Sequence, residues 1–233
     1  MKKIKINNEA TYLFAIALIA FSVALIASTD LGVSMVVAPA YILSLNFHFL
    51  TFGQWEYVLQ GLMFIAFCII KRKVRFVYFT SFLNCIVYGA VLDLFRTVIP
   101  FLNPEITAPG SYALPLRIAL LGVGMVLTSF AVALFFKAYL YPQVYDFFVK
   151  GVSAHFGIDR GKFKICYDMS SLALSIVLSL VLFGGFNGIG IGTIVMASFN
   201  GLIIGFFDKT LDKYVEFTPA FKKLAKTFDL EDK

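Results

Sequence analysis

The chain has 233 residues, 60% hydrophobic and only 15% charged, with 27 phenylalanines, a mean hydropathy of +0.85 and a net charge of +6. A soluble domain is nearer half apolar and about a quarter charged, so a soluble enzyme built on one thick core is excluded. Several apolar runs reach the roughly 20 residues that cross a bilayer, so the chain reads as an all-α polytopic membrane protein. Its surplus of Lys and Arg then orients loops rather than binding nucleic acid.

The N-terminal stretch MKKIKINNEA is basic and leads into an apolar run. No small-residue cleavage site ends that run, so it reads as a retained first span from about residue 11 to 28. Next comes TDLGVSMVVAPAYILSLNFHFL, apolar but interrupted by Asp30, Gly32 and Pro39. Its helix, about 33 to 45, is too short to cross. Thr51 followed by Gln54 makes a capping box that starts a span over 51–70. KRKVR, residues 71–75, stops it, and a further span covers about 76 to 99. Pro100, Asn103, Pro104, Pro109 and Gly110 form a loop that divides the chain.

The second half opens with a span over about 114 to 136. KAYLYPQVYDFFVKGVSAHFG is again apolar but broken, with Pro142, Asp146 and Lys150. Asp159 caps a span that reaches about 183. GGFNGIGIG precedes the sixth span, about 189 to 207. In the basic tail, Thr218 and Pro219 read as N-cap and first helical residue. Phe221, Leu224, Ala225 and Phe228 share a face opposite lysines, which predicts a short helix lying on the inner leaflet.

Six spans with both termini inside put 18 of the 20 Lys and Arg on the cytoplasmic side, leaving out only Arg96 and Arg117. Letting the two broken segments cross would put KRKVR outside, against the positive-inside rule. Each half then reads span, broken segment, span, span. FSVALIAS at Phe21 and FAVALFFK at Phe130 align at a separation of 109. Thr51 and Gly53 meet Asp159 and Gly161 at 108, and Gly89 and Phe95 meet Gly201 and Phe207 at 112. Three crossings per unit make the second copy inverted. The expected organisation is one membrane repeat over 1–100, an inverted copy over 111–208 and a cytoplasmic tail over 209–233, in the plasma membrane of a bacterial cell.

TDLGVS, followed some twenty residues later by FGQW, resembles the YczE/YitT-type bacterial membrane proteins. Tyr145 and Asp146 in the second broken segment, Asp168 in the next helix and GIGTI at Gly190 fit the same pattern. That family usually carries Pro-Trp-Asp-like residues after DLGVS, where Met35, Val36 and Val37 stand here. The resemblance implies an integral membrane protein commonly suspected of transport, and it supplies no substrate.

No nucleophile–base pair, metal-ligand spacing or phosphate loop is present, so neither enzyme chemistry nor a cofactor is expected. The informative residues are polar ones at membrane depth, which usually face the protein interior or a water-filled cavity. Asp168 lies nine residues past Asp159 and Gln60 nine past Thr51. At ~1.5 Å per residue both reach roughly 13 Å along their helices, near the bilayer middle, and are expected to face each other. Asn84 and Asn200 are deep in matching spans. Asp146 with Lys150, and Asp93 with Arg96, are spaced to pair on their own helices. Asp30 and Glu56 are expected to line an outer vestibule or be solvated.

Broken helices in inverted repeats are a recurrent transporter plan. The sequence therefore points to a transporter or channel for a small solute or ion, with those ten residues on its pathway. The alternatives are a substrate-binding subunit of a vitamin-type importer and a non-transporting scaffold. A homo-oligomer in the lipid bilayer is compatible with each.

Overall fold

The computed structural model describes residues 3–72, 75, 78–222, 225, 226 and 228. In chain order the elements are β1 (Ile4–Asn7), α1 (Asn8–Ser28), α2 (Ala38–Asn46), α3 (Phe52–Lys71), α4 (Phe79–Val98), α5 (Leu114–Lys137), α6 (Val144–Phe156), α7 (Arg160–Phe183), α8 (Ile191–Tyr214) and β2 (Val215–Thr218). Among the described residues six helices are long and apolar enough to span a membrane: α1, α3, α4, α5, α7 and α8. The protein is an all-α polytopic membrane protein. Large apolar side chains such as Ile69, Val181, Ile194 and Leu202 stay exposed on these helices, where lipid would cover them.

Local chemistry sets the helix ends. The Thr51 hydroxyl accepts from Gln54 N and the Gln54 side chain accepts from Thr51 N, closing the expected capping box. Asp159 accepts from Lys162 N at 2.9 Å and starts α7. Gly157 and Gly184 end α6 and α7 in the left-handed conformation. With 9 and 13 residues, α2 and α6 cannot cross. At ~1.5 Å per residue they reach ~14 and ~20 Å of a ~30 Å layer.

Contacts fix the relative directions. Asn8 donates to the Lys137 carbonyl (3.1 Å), Thr128 to Ser22 (2.9 Å) and Arg117 to the Thr29 carbonyl (2.6 Å), so α1 and α5 are antiparallel. Asn84 donates to the Tyr12 hydroxyl and Phe21 meets Phe95, so α1 and α4 are parallel. Phe130 meets Phe207 and Leu121 lies beside Gly192, so α5 and α8 are parallel as well. The packing pairs recur four helices apart: α1–α4 with α5–α8, α2–α7 with α6–α3, and α2–α3 with α6–α7. Two pairs break the pattern: α4 touches α6 while α8 and α2 barely touch among the described residues, and the larger break lies elsewhere. α3 packs closely on α4, whereas α7 and α8 barely touch among the described residues. The most buried span is α1; α7 and α8 are the least buried.

The first and last described strands meet on one face, where β1 pairs in parallel with β2, Ile4 opposite Val215 through Asn7 opposite Thr218. Thr218 therefore closes a strand rather than capping a helix. The tail is helical at Lys222, Ala225, Lys226 and Phe228. Part of its apolar face packs on the protein: Phe228 is buried against Tyr139 and Tyr141, with ring centroids 5.7 and 5.3 Å apart, while Phe221 is exposed. Leu224 lies outside the described residues, as do Lys2, Lys73, Val74, Phe76, Lys223 and Lys233. The Glu9 carboxylate anchors this tail, accepting from Ala220 N and Phe221 N at 2.9 Å each and from the Tyr139 hydroxyl at 2.7 Å. Glu9→Ala is expected to speed trypsin cleavage after Lys222 about a hundredfold in detergent, as three hydrogen bonds worth ~1 kcal/mol each are lost. An unchanged cleavage rate would show that the anchor is inert.

Candidate functional site

The starts of the two short helices converge. Val37 N and Ala38 N both bond to the Ser34 carbonyl, at 3.1 and 2.9 Å, so the helical turn leading into α2 begins at Ser34. Across from it, Phe147 N bonds to the Gln143 carbonyl at 3.1 Å and opens α6. Neither helix has a side-chain cap. Residues 34–37 and Gln143, Tyr145 and Asp146 line one cavity of about 320 Å³, together with Thr128 of α5, Lys164 and Asp168 of α7, and Met196, Asn200 and Gly201 of α8. That volume lies at the small end of the ~300–1,000 Å³ typical of small-molecule sites.

Lys164 holds the cavity's charges together. Its ammonium is 3.0 Å from Asp168 on the same helix and 3.5 Å from Asp146 on α6. Asp146 was expected to pair with Lys150 four residues on; it has this partner on another helix, while the Lys150 ammonium lies over the Tyr141 ring at 5.7 Å. Lys164 is a site residue that sequence reasoning missed, because it counted as a loop charge near the membrane surface. Its i,i+4 spacing to Asp168 was the available signal.

A second polar cluster sits behind the cavity wall. Gln60 Nε2 and the Tyr145 hydroxyl both donate to Glu56 Oε2, at 2.9 and 3.0 Å. Gln60 Oε1 accepts from Val144 N at 3.2 Å. Glu56 and Gln60 are fully buried, and Glu56 Oε1 has no hydrogen-bond partner. The expected outer-vestibule position of Glu56 is therefore wrong: α6 packs over it. Nor do Gln60 and Asp168 face each other. Gln60 turns to the start of α6, and Asp168 turns to Lys164. At the sequence separation of 108 the two clusters still correspond, Glu56 with Lys164 and Gln60 with Asp168.

The remaining expected residues serve structure elsewhere or stand at the cavity edge. Asn84 donates to the Tyr12 hydroxyl at 2.6 Å, which donates to the Tyr141 carbonyl at 2.7 Å. Asn200 lines the cavity, and its Oδ1 is buried without a hydrogen-bond partner. On the face away from the termini, Asp93 accepts from the Thr51 hydroxyl at 2.5 Å and from Gly53 N at 2.9 Å, holding the start of α3 rather than pairing with Arg96. The Arg96 guanidinium lies 5.2 Å over the Phe52 ring. Asp30 lies 3.7 Å from Arg117 on the same face. Partial burial pushes its carboxyl above the ordinary range, opposed by Arg117.

Glycines mark the difference between the halves. A Cβ on Gly53 of α3 would run into the Gly89 carbonyl of α4 and the Asp93 carboxylate. The corresponding Gly161 of α7 and Gly201 of α8 have no such contact: Gly201 faces open space, and Gly161 meets only its own helix cap. The glycine loop before α8 acts as a clamp. Gly192 N bonds to the Leu31 carbonyl at 2.8 Å and Val33 N to the Gly188 carbonyl at 3.3 Å, tying that loop to the segment entering α2. Gly32, with φ of 100°, sits against Gly190 and Thr193 with no room for a side chain.

Lys164→Met is expected to destabilise the protein by about 2 kcal/mol, below the ~3–5 kcal/mol of a fully buried pair. The lower figure follows from side chains that are 35% and 21% exposed. Adding Asp168→Asn should recover part of the loss in thermal unfolding. Additive losses would show that the two charges are not coupled.

No curated protein and no solved structure matches the chain. Residues 6–209 match the model of a family of unknown function, DUF6198, and the chain belongs to that family.

Proposed function

We propose that the chain is a secondary transporter for a small polar solute, built as two inverted repeats with re-entrant short helices, its site lying between them. The observation that carries this reading is the pairing of an asymmetry with a largely apolar cavity that holds Asp146, Lys164, Asp168, Gln143 and Asn200. The Gly53–Gly89 contact closes α3 on α4, and its counterpart is open between α7 and α8. In inverted repeats the other access state follows by exchanging the two conformations: α7 would close on α8 while α3 leaves α4. The open counterpart lies at Gly161, near the start of α7, so in this reading the solute reaches Asp168 from the side of β1 and β2. The Lys- and Arg-rich side, which holds both termini, is the cytoplasmic one in this reading. The resemblance of TDLGVS, FGQW and Tyr145–Asp146 to YczE/YitT-type proteins supports the same reading.

The test is uptake. Proteoliposomes would be exposed to a mixture of cell metabolites, and the solutes taken up identified by mass spectrometry. At least one polar solute should enter protein-containing vesicles and not empty ones. Asp168→Asn should reduce that uptake at least about tenfold, the worth of ~1.4 kcal/mol in the barrier. Uptake that survives the substitution unchanged would remove Asp168 from the pathway. No uptake of any solute would overturn the transport reading.

A further inference from the structure

We infer that the cavity between the starts of α2 and α6 binds a small zwitterion, its anionic group on the two helix starts with Gln143 and its cationic group against Asp168. This deepens the transport reading and uses the same cavity.

The helix starts supply the anion site. Each helix N-terminus carries roughly half a positive charge on N–H groups that lack intrahelical acceptors. In the segment leading into α2, Met35 N and Val36 N have no backbone partner among the described residues. In α6, Val144 N is held by Gln60, while Tyr145 N and Asp146 N, in two residues that line the cavity, have no backbone partner among the described residues. A second, independent observation marks the place as incomplete. Gln143 is 7% exposed and lines the cavity, and its Nε2 is buried with no acceptor. An unsatisfied buried donor of this kind costs about 1–3 kcal/mol, which a ligand acceptor would relieve.

The cation side follows from the charge count. Asp146 and Asp168 face the single ammonium of Lys164, so the side chains of the cavity carry one surplus negative charge. Asn200 Oδ1, buried on the same cavity wall, lacks a donor. The cavity thus presents an unfilled donor and an unfilled acceptor, positive potential at the helix starts and surplus negative charge at Lys164's carboxylates. A simple anion would be repelled by Asp146 and Asp168, and a simple cation by the helix starts. A molecule carrying both charges answers both. Its apolar part has the Val23, Val132 and Ile204 wall to lie against.

The experiment is thermal unfolding of the purified full chain in lipid nanodiscs. The probes are the twenty L-amino acids, γ-aminobutyrate and glycine betaine. For every amino-acid hit, the N-acetyl derivative (anion only) and the amide (cation only) are added. At least one zwitterion should raise the melting temperature by about 5–11 °C near a hundredfold excess over its dissociation constant. Its two singly charged derivatives should lose most of that shift. Asp168→Asn should restore parity between the zwitterion and its N-acetyl form, and Gln143→Leu should weaken binding roughly tenfold, as expected for one hydrogen bond of ~1.4 kcal/mol. Folding of each variant is checked by an unchanged size-exclusion profile. No zwitterion shifting the melt, or singly charged derivatives shifting it equally, overturns the inference. The two readings fail separately. A zwitterion that binds but never enters vesicles removes transport, and a singly charged solute that enters vesicles removes the zwitterion site.

Discussion

Gly53→Val is expected to destabilise the protein by about 3 kcal/mol, whereas Gly201→Val is expected to leave it folded and, under the proposed transport cycle, to stop uptake. Gly53 lies where α3 and α4 come closest, and a Cβ there would meet the Gly89 carbonyl and the Asp93 carboxylate. The first obstacle is backbone and cannot rotate away, so the penalty falls at the upper end of the ~1–3 kcal/mol of ordinary overpacking. The better helix propensity of valine returns only a few tenths of a kcal/mol. Gly201 has nothing within 4 Å of such a Cβ, so the seen conformation accepts the valine. If α7 must close on α8 to complete a cycle, the valine obstructs that closure. SDS titration followed by the single tryptophan, Trp55, would measure the first effect. Vesicle uptake would measure the second. A Gly201→Val protein with normal uptake would refute the exchange of conformations between the halves.

Glu56→Ala costs about 3–4 kcal/mol, and Glu56→Gln about 1. Glu56 Oε2 is the acceptor for Gln60 Nε2 and the Tyr145 hydroxyl, both buried. Alanine orphans the two donors, at about 1–3 kcal/mol each, and leaves a gap between α3 and α6. Glutamine keeps the shape and an acceptor oxygen. The same titration separates the two variants. Equal losses would show that packing rather than hydrogen bonding holds α6 against α3. Because Tyr145 also lines the cavity, the alanine variant should disturb solute binding too, which joins the fold's most buried carboxyl to the candidate site.

Most of the fold was legible in the chain. Apolar run length gave six spans, and Thr51, Gln54 and Asp159 gave helix starts by local hydrogen-bonding rules that need no tertiary partner. The site was only half legible. Depth can be counted from a cap, so Asp168, Asn200 and Asp146 were placed on a pathway, and the cavity joins all three. Direction around the helix axis cannot be counted in the same way once neighbours intervene. The start of α6 inserts beside Gln60 and separates it from Asp168. Lys164 resembled a surface charge because only the approach of α6 makes it a bridge.

By itself, the sequence determined that this is a polytopic membrane protein, that six helices are long and apolar enough to cross a bilayer, that two are too short, and where α3 and α7 begin. These follow from the cost of exposing backbone polar groups to hydrocarbon and from interactions within a few residues. Tertiary structure alone decided which copy of the glycine pair is closed, which carboxylates Lys164 serves, and that Glu56 is buried rather than exposed. It also decided that the two chain ends form a strand pair. Each of these depends on groups far apart in sequence, whose meeting is set by how whole helices pack and not by the residues nearby.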